Sequence, residues 1–360
     1  MPPEVFVVKD DCRLFRGHIP CAPNKREGVH CADCPHYDKI EEQILIIKLG
    51  ATGDVIRTTP LLHKLAQEHP RAKIWWLTES PAIVPKSVDV VLPMNLQSIL
   101  MLEAVQFDIV YNLDKDFHAC ALASRLQTRV IKGFTLKNNA VAPADADAVE
   151  KFTTGIFDDV SKRNTKSYPV ELFEVCGYTF KNERYILDSF PSEARDWNID
   201  HSKYIIGLNT GCGDRWTSRQ WADEQWIMLA QQLQFLGCEV ILLGGGYEHE
   251  RNLMLAERSA AKYFGHFPLP AFVNLVSHCD MVVTLVTMAL HVAIGLEKKV
   301  VVINNIFNRR EFDLYGLGEI VEPEKECTCY FQQRCINTEY RCMEHLPVSR
   351  VLDACMRWKY

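Results

Sequence analysis

The chain has 360 residues, which is long for one hydrophobic core and suggests two domains of about 150 residues each. Hydrophobic residues make up 48% of it, the fraction expected of a folded soluble protein. The net charge of −6, from 40 basic and 46 acidic residues, argues against sequence-independent binding of nucleic acid, which requires clustered Lys and Arg.

Residues 1–42 are predicted to form a cysteine-rich extension. Glycine and proline interrupt any periodic pattern there, so we expect the segment to require an additional cross-link to be ordered. Cys31 and Cys34 have the CxxC spacing that lets two thiolates bind one ion. Cys12 and Cys21 could complete a tetrahedral set, which predicts a structural metal at this end. The alternative ligands are His18, His30 and His36.

From residue 43 short apolar strands alternate with helices. We predict strands at Ile44–Lys48, Lys73–Leu77, Val88–Val91, Asp108–Asn112 and Arg129–Gly133. We predict helices at Val55–Glu68, Ile99–Ala104, Phe117–Leu126 and Tyr168–Cys176. This alternation is typical of a mostly parallel sheet with helices on both faces. Residues 43–196 are therefore assigned to a first Rossmann-like domain.

A small-residue turn that carries one carboxylate, Asp54, follows the first predicted strand. The carboxyl edge of a parallel sheet faces the ligand crevice, and a helix N-terminus lowers the cost of a negative charge there. Asp54 could therefore act as a base or as an anchor. A residue in this position could also simply cap its helix.

A second series of strands and helices begins after a linker predicted at Asp196–Ser202. Its strands are predicted at Tyr204–Leu208, Glu239–Leu243, Met281–Leu285 and Val300–Ile303. Its helices are predicted at Ala222–Leu236, His249–Ala261, Leu269–Ser277 and Met288–Gly295. Residues 197–330 are assigned to a second Rossmann-like domain, so the predicted fold class is α/β with two parallel sheets that face a cleft.

Two loops of the second domain have the composition of a nucleotide site. Residues 209–221 combine small residues, hydroxyls and two arginines, which suits a diphosphate because backbone N–H groups and guanidinium groups complement phosphate oxygens. Glycines 244–246 are followed by Glu248, whose carboxylate could accept hydrogen bonds from ribose hydroxyls. Taken alone, either loop is as typical of an ordinary tight turn as it is of a nucleotide site.

In order and spacing, residues 44–62, 216–226 and 246–250 resemble glycosyltransferase family 9, the heptosyltransferases that use ADP-activated heptose. The resemblance covers about residues 43–350. It implies a GT-B fold, an acceptor site on the first domain and a nucleotide-sugar site on the second. It also implies an inverting transfer in which Asp54 is the general base. The donor-binding residues that it implies are Thr210, Gly211, Arg219, Gly246, Glu248, Thr287 and His291.

The chain departs from the family at Val286, where members carry an aspartate that faces the donor's sugar or a divalent cation. An aliphatic side chain can neither accept a hydrogen bond nor bind a metal. Three functions therefore compete: an active transferase, a catalytically weakened nucleotide-sugar-binding protein, and a cysteine-rich metal module for nucleic-acid or protein interaction. The low net charge disfavours the third, and a catalytic requirement for a divalent cation stays open.

Four more cysteines near the C-terminus resemble the cysteine-bearing tails of several family members. In one branch, which modifies proteins, such a tail binds iron. The residues concerned are Cys327, Cys329, Cys335 and Cys342. Their irregular spacing does not decide between zinc and iron, nor between one shared site, two sites and eight reduced thiols. We expect the tail, residues 331–360, to pack back on the first domain.

The N-terminal residues, the cysteines and one lysine-rich region bear on the cellular location and on the acceptor. Met1-Pro-Pro-Glu4 lacks the apolar run of a secretion signal, and 14 cysteines favour a reducing compartment, so we predict a cytoplasmic protein. A lysine-rich region at about 137–170 is compatible with peripheral contact to the inner membrane, as in lipopolysaccharide biosynthesis, and equally with a solvated surface. The acceptor is expected to be a glycolipid, a glycan or a protein, and the oligomeric state is undetermined.

Overall fold

The structure, a computed structural model, describes residues 6–359 and contains two β-sheets. Residues 1–5 of the predicted extension and Tyr360 of the predicted tail lie outside the described residues. The first sheet consists of β1 (Glu42–Ile47), β2 (Ala72–Thr78), β3 (Val90–Pro93), β4 (Phe107–Asn112), β5 (Thr128–Lys137) and β6 (Ala140–Pro143). The second consists of β7 (Ile205–Asn209), β8 (Glu239–Leu243), β9 (Met281–Leu285), β10 (Lys299–Ile303) and β11 (Gly318–Val321).

Helices connect the strands of both sheets. Those of the first half are α1 (Ala22–Glu27), α2 (Thr52–Ile56), α3 (Leu61–Glu68), α4 (Leu96–Glu103), α5 (Phe117–Arg125), α6 (Val149–Thr154), α7 (Asp158–Arg163) and α8 (Tyr168–Val175). Those of the second half are α9 (Asp223–Phe235), α10 (His249–Ser259), α11 (Leu269–Ser277), α12 (Met288–Gly295) and α13 (Val348–Lys359). Across residues 6–359, every helix falls short of the length and apolar character needed to span a bilayer.

The strand order places the candidate residues at the carboxyl edges of the sheets. The first sheet has the order β3-β2-β1-β4-β5-β6 and is parallel except for the β5–β6 pair. The second sheet is parallel throughout, with the order β11-β10-β9-β7-β8. α2 of the first unit packs against α12 of the second, so the two carboxyl edges face one cleft. The predicted α/β class, GT-B with two Rossmann-like units, is confirmed.

The first strand is buried on both faces, as expected for a central strand of a parallel sheet. Ile44, Leu45, Ile46 and Ile47 have no solvent exposure. Ile44 and Ile46 join one hydrophobic cluster, whereas Leu45 and Ile47 join another. The continuous apolar sequence of β1 therefore reflects helices packed on both sides of it.

One predicted helix is two helices in the structure. α2 ends at Ile56 and α3 begins at Leu61. Pro60 stands between them and lacks the N–H that a continuous helix requires. The hydroxyls of Thr58 and Thr59 donate to helix carbonyls and so stabilise the break.

A β-hairpin follows β4 and α5 and was not predicted from the sequence. β5 runs to Lys137, beyond its predicted end at residue 133, and turns into the antiparallel strand β6. Asn138 and Asn139 form the turn with φ of 52° and 62°. Asparagine tolerates this left-handed conformation, so the Asn-Asn pair was a usable turn signal. Helices α1, α6, α7 and α13 and strand β11 were likewise not predicted.

The tail helix does not pack on the first domain, where we expected residues 331–360 to lie. α13 packs against α9, β10 and β11 of the second unit rather than against the first domain. Val351, Ala354 and Cys355 are buried in the same hydrophobic cluster as residues of β10 and α9. Because an amphipathic helix must bury its apolar stripe, α13 covers the adjacent face of the second sheet.

The N-terminal extension lies on the first unit. Arg13 forms ion pairs of 2.8 Å with Asp38 and 2.7 Å with Asp89, the second of which joins the extension to the segment before β3. Arg13 also donates to the carbonyl of Ala72 at the start of β2. The extension is thus held by polar contacts, consistent with its lack of an apolar core.

Candidate active site

Asp54 lies in the first turn of α2, directly beyond the carboxyl end of β1. Its backbone N–H donates to the carbonyl of Ala51 at 2.8 Å, and its half-buried carboxylate faces the cleft. Gly53 is needed beside it because a Cβ there would lie 2.6 Å from Cδ2 of His291 on α12. The loop therefore brings Asp54 close to the second unit.

Two cations flank the Asp54 carboxylate. Arg57 Nε lies 2.9 Å from Oδ1, and Lys48 Nζ lies 3.8 Å from Oδ2. Burial alone would raise the pKa of Asp54, but the charges of Arg57 and Lys48 outweigh burial and hold that pKa below its usual value. Asp54 is therefore a carboxylate at neutral pH.

Arg57 connects the two units. Its Nη1 donates to Glu311 Oε1 at 2.8 Å, and its guanidinium carbon lies 3.6 Å from the centre of the Tyr168 ring. Glu311 belongs to the loop between β10 and β11 of the second sheet. The side chain of Arg57 is thus clamped between its own helix, α8 and the opposite side of the cleft.

The loop after β7 is organised around Glu248. Its Oε1 accepts from the N–H of Gly213 at 2.9 Å, and its Oε2 accepts from the N–H of Gly245 at 3.0 Å. A Cβ on Gly211 would lie 2.1 Å from Glu248 Cγ, so only glycine fits there. Glu248 therefore joins the two loops that the sequence analysis singled out.

Arg219 is buried at the base of the same region. Its Nη1 donates to the carbonyl of Val286 and its Nη2 to that of Cys212, the latter at 3.4 Å. Its guanidinium carbon lies 5.2 Å from the centre of the Phe307 ring. Burial lowers its pKa from the usual arginine value, although the group stays protonated at neutral pH. A fixed cation thus faces the cleft from the second unit.

Thr287 and His291 approach the cleft from α12. Thr287 caps this helix by accepting from the N–H of Ala289, and it accepts a second bond from Asn209. His291 Nδ1 lies 3.4 Å from the hydroxyl of Tyr185. Burial, with Arg57 nearby, lowers the pKa of His291 to about 3, so its imidazole is neutral at physiological pH.

Two cavities meet at Asp54. One, of about 630 Å³, lies between the units and is lined on the second unit by Gly211, Arg219, Glu248, Val286, Thr287 and His291. The other, of about 410 Å³, lies in the first unit and is lined by Lys48, Asp114, Lys115, Lys151 and Tyr168, among others. Asp54 and Arg57 line both. We call these the interdomain cavity and the first-unit cavity.

Two of the predicted donor-binding residues do not line the interdomain cavity. Thr210 is fully buried, and its hydroxyl donates to Asn252 Oδ1 at 2.5 Å. Gly246 is exposed beyond its rim, where Gly245 and Glu248 line the wall. Four residues that line these cavities, Lys48, Arg57, Asp114 and Glu311, were not predicted from the sequence. An arginine three residues after Asp54 was a usable signal, whereas nothing local marks Glu311.

The cysteines form two separate groups. Cys12, Cys21, Cys31 and Cys34 line one small cavity of about 30 Å³, and no C-terminal cysteine lines it. In the second group, Cys329 Sγ lies 3.7 Å from Cys335 Sγ. A hydrogen bond from Cys327 lowers the pKa of Cys342 to about 6. Within residues 6–359 no three Cys, His, Asp or Glu side chains are arranged to hold a metal ion as they stand.

Comparison with models of known protein families identifies the family of this chain. The sequence model of Glycosyltransferase family 9 (heptosyltransferase) matches residues 98–339, more than half of the chain. The comparison with curated protein sequences gives no match.

Solved structures share the fold. A glycosyl transferase family 9 structure from Veillonella parvula is 16% identical, with a TM-score of 0.69 over 89% of this chain and 97% of that one. E. coli ADP-heptose lps heptosyltransferase II is 18% identical, with a TM-score of 0.63 over 88% and 98%. The iron-containing dodecameric glycosyltransferase TibC of enterotoxigenic E. coli is 14% identical, with a TM-score of 0.57 over 89% and 77%.

Proposed function

The chain belongs to glycosyltransferase family 9 and is a glycosyltransferase, and we propose that it transfers a heptose or a related sugar from an ADP-activated donor with Asp54 as general base. The observation that carries the proposal is the position of Asp54 at the junction of the two cavities. A base there can take the proton of an acceptor hydroxyl from one cavity while that oxygen attacks the anomeric carbon of a donor in the other.

The interdomain cavity has the groups that a nucleotide diphosphate requires. Arg219 supplies a fixed cation, Gly211 leaves room for the side chain of Glu248, and Glu248 lies where a ribose could bind. Among the proteins of the same fold, heptosyltransferase WaaC of E. coli has been solved with ADP-2-deoxy-2-fluoro heptose. TibC has been solved with ADP-D-beta-D-heptose. An ADP-activated heptose is therefore the donor that we propose.

The proposed reaction is an inverting displacement. The acceptor oxygen attacks the anomeric carbon, the bond from that carbon to the diphosphate oxygen breaks, and Asp54 takes the proton of the acceptor hydroxyl. Arg219 stabilises the negative charge that develops on the departing diphosphate. His291, which is neutral, offers an uncharged polar group beside Asp54 rather than a third cation.

An alternative function is a nucleotide-sugar-binding protein with weak transfer. Val286 lines the interdomain cavity with an aliphatic side chain, and its backbone carbonyl accepts from Arg219. The cavity therefore lacks at this position the carboxylate that the family resemblance led us to expect. Restoring that carboxylate separates the two functions, as described in the Discussion.

We propose a structural zinc or iron ion at the cysteines. Thiolate is a preferred ligand of both metals, and the two groups each supply four sulfurs. The contact of 3.7 Å between Cys329 and Cys335 brings two sulfurs of the C-terminal group within reach of one ion. An ion there would join the tail segment to the donor-binding unit and stabilise its fold.

We also propose where the acceptor binds and in which compartment the protein acts. A glycolipid, a glycan or a protein could supply the hydroxyl, and the first-unit cavity is where we propose that it binds. All 14 cysteines are free, which fits a reducing cytoplasm. Peripheral contact with the inner membrane would bring a lipid-linked acceptor to that cavity.

Calorimetric titration tests the proposed donor. ADP-heptose, ADP alone, UDP-sugars and GDP-sugars are titrated into the purified protein. We expect ADP-heptose to bind more tightly than ADP, and both to bind more tightly than the other nucleotides. Absence of binding by every nucleotide would contradict the proposal, whereas binding of ADP without any contribution from heptose would indicate a different sugar.

A further inference from the structure

Lys48 approaches the proposed base from within the first sheet. It follows β1 directly, and its Nζ lies 3.8 Å from Asp54 Oδ2. Only 6% of the Lys48 side chain is exposed, compared with 32% of the Asp54 side chain. A cation that is almost entirely buried thus faces a carboxylate that is open to both cavities.

Asp114 holds Lys48 in place. It lies just beyond β4, the neighbour of β1, and it is buried with 5% exposure. One of its carboxylate oxygens accepts from Lys48 Nζ, and the other accepts from the N–H of Leu49. Both bonds go to the segment that leads from β1 towards α2. Asp114 therefore fixes the ammonium group and the loop that carries Asp54.

The other charged groups around Asp54 are shared or neutral. Arg57, the residue that follows α2, contacts Asp54, but it also pairs with Glu311 across the cleft. His291 on α12 is uncharged, because burial lowers its pKa to about 3. Of the two cations that contact Asp54 in the described structure, Lys48 is the one whose other ion-pair partner, Asp114, belongs to the first unit.

We propose that Lys48 and Asp114 are a positioning pair for the base: Asp114 fixes the Lys48 ammonium, and Lys48 keeps the Asp54 carboxylate ionised and oriented towards the junction of the cavities. The inference rests on the proposed function, because it assumes that Asp54 takes the acceptor proton. Donor and acceptor would displace water from Asp54, and burial favours the protonated form, which cannot act as a base. A fixed internal cation opposes this effect.

A purely structural pair would have different consequences. Buried ion pairs can hold segments together without any influence on catalysis, and they are weak evidence for stability. In that case, removing the charge of Lys48 would change stability but leave the pKa of Asp54 where it was. The pKa of Asp54 is therefore the quantity to measure.

The experiment follows the carboxyl carbon of Asp54 by NMR in protein labelled with 13C at aspartate carboxyl groups. The signal is assigned by its loss in Asp54→Asn, and the titration requires no turnover. In the wild type we expect the pKa of Asp54 to lie below the usual aspartate value, because Arg57 and Lys48 flank the carboxylate. In Lys48→Met we expect the pKa of Asp54 to rise by about one unit or more.

Two further variants serve as controls for the charge of Lys48 and for folding. Lys48→Arg retains the charge, so the pKa should stay low. Lys48→Met/Asp114→Asn avoids an unpaired buried carboxylate and keeps an acceptor for the Leu49 N–H, so it should fold even if the single variant does not. An unchanged pKa in the methionine variants would overturn the inference. Absence of sugar transfer by the wild-type protein would instead overturn the proposed function.

Discussion

Arg57 and Glu311 form an ion pair of 2.8 Å that crosses the cleft between the two sheets. The two residues are 254 positions apart in the sequence. Arg57 also contacts Asp54, so the base that we propose is linked through one side chain to the unit that would bind the donor. The relative position of the two units therefore bears directly on the surroundings of the base.

Glu311→Gln should weaken the contact between the units. The pair is largely buried, with side-chain exposures of 10% and 22%, and losing one charge leaves Arg57 without a charged partner across the cleft. We expect the free energy of unfolding in urea to fall by about 1–3 kcal/mol. The matched control is Glu224→Gln, which removes an exposed pair with Arg258 and should cost less than about 1 kcal/mol. Equal effects of the two variants would contradict the prediction.

Asp54→Asn should abolish transfer while leaving the donor site intact. The amide cannot take a proton, and loss of a general base typically lowers the rate by about 10²–10⁴. ADP affinity, measured by calorimetry, should change by less than about threefold because Asp54 lies on the opposite unit from Arg219 and Glu248. Asp159→Asn, on an exposed ion pair of α7, is the control. Survival of turnover in Asp54→Asn would show that another group is the base.

The pH profile of transfer should be flat on its acid side. A base works when deprotonated, and the pKa of Asp54 lies below its usual value because Arg57 and Lys48 outweigh burial. Burial lowers the pKa of His291 to about 3, so its imidazole stays neutral over this pH range. Lowering the pH from 7 towards about 5 should therefore not reduce kcat/KM. A decline with a midpoint near 6 would point to a different ionising group as the base.

Val286→Asp tests the weakened-transferase alternative. The new carboxylate would enter the interdomain cavity beside Arg219, where it could accept hydrogen bonds from the donor's sugar. If the alternative holds, turnover with ADP-heptose should increase by about tenfold or more. Val286→Thr, which matches the shape of valine without a charge, is the control. No change in turnover would remove the basis of this alternative.

Metal content tests the cysteine proposal. Protein purified without a histidine tag should contain about one equivalent or more of zinc plus iron, and less than about 0.3 equivalents would contradict the proposal. Cys31→Ser/Cys34→Ser and Cys327→Ser/Cys329→Ser separate the two groups, since each should remove only the metal of its own group. Cys238→Ala changes a buried cysteine outside both groups and should leave the metal content unchanged.

The sequence predicted much of the sheet framework. The predicted strands at Glu239–Leu243 and Met281–Leu285 and the helices at Leu269–Ser277 and Met288–Gly295 have the observed bounds. The loops that carry Asp54 and Arg219 were also located, because short apolar runs and small-residue turns are local signals. The hairpin at Asn138 was missed although its signal was local.

The sequence by itself predicted most strands of the two sheets, several of the helices between them, and the loops that follow the carboxyl ends of the strands. Only the tertiary structure decided the pairing of Lys48 with Asp114 and of Arg57 with Glu311, and the packing of α13 on the second unit. The physical reason is that periodicity and turn chemistry act over a few residues. Which charged side chains meet instead depends on the order of strands in the sheets and on how the two sheets face each other, and no local pattern records either of these.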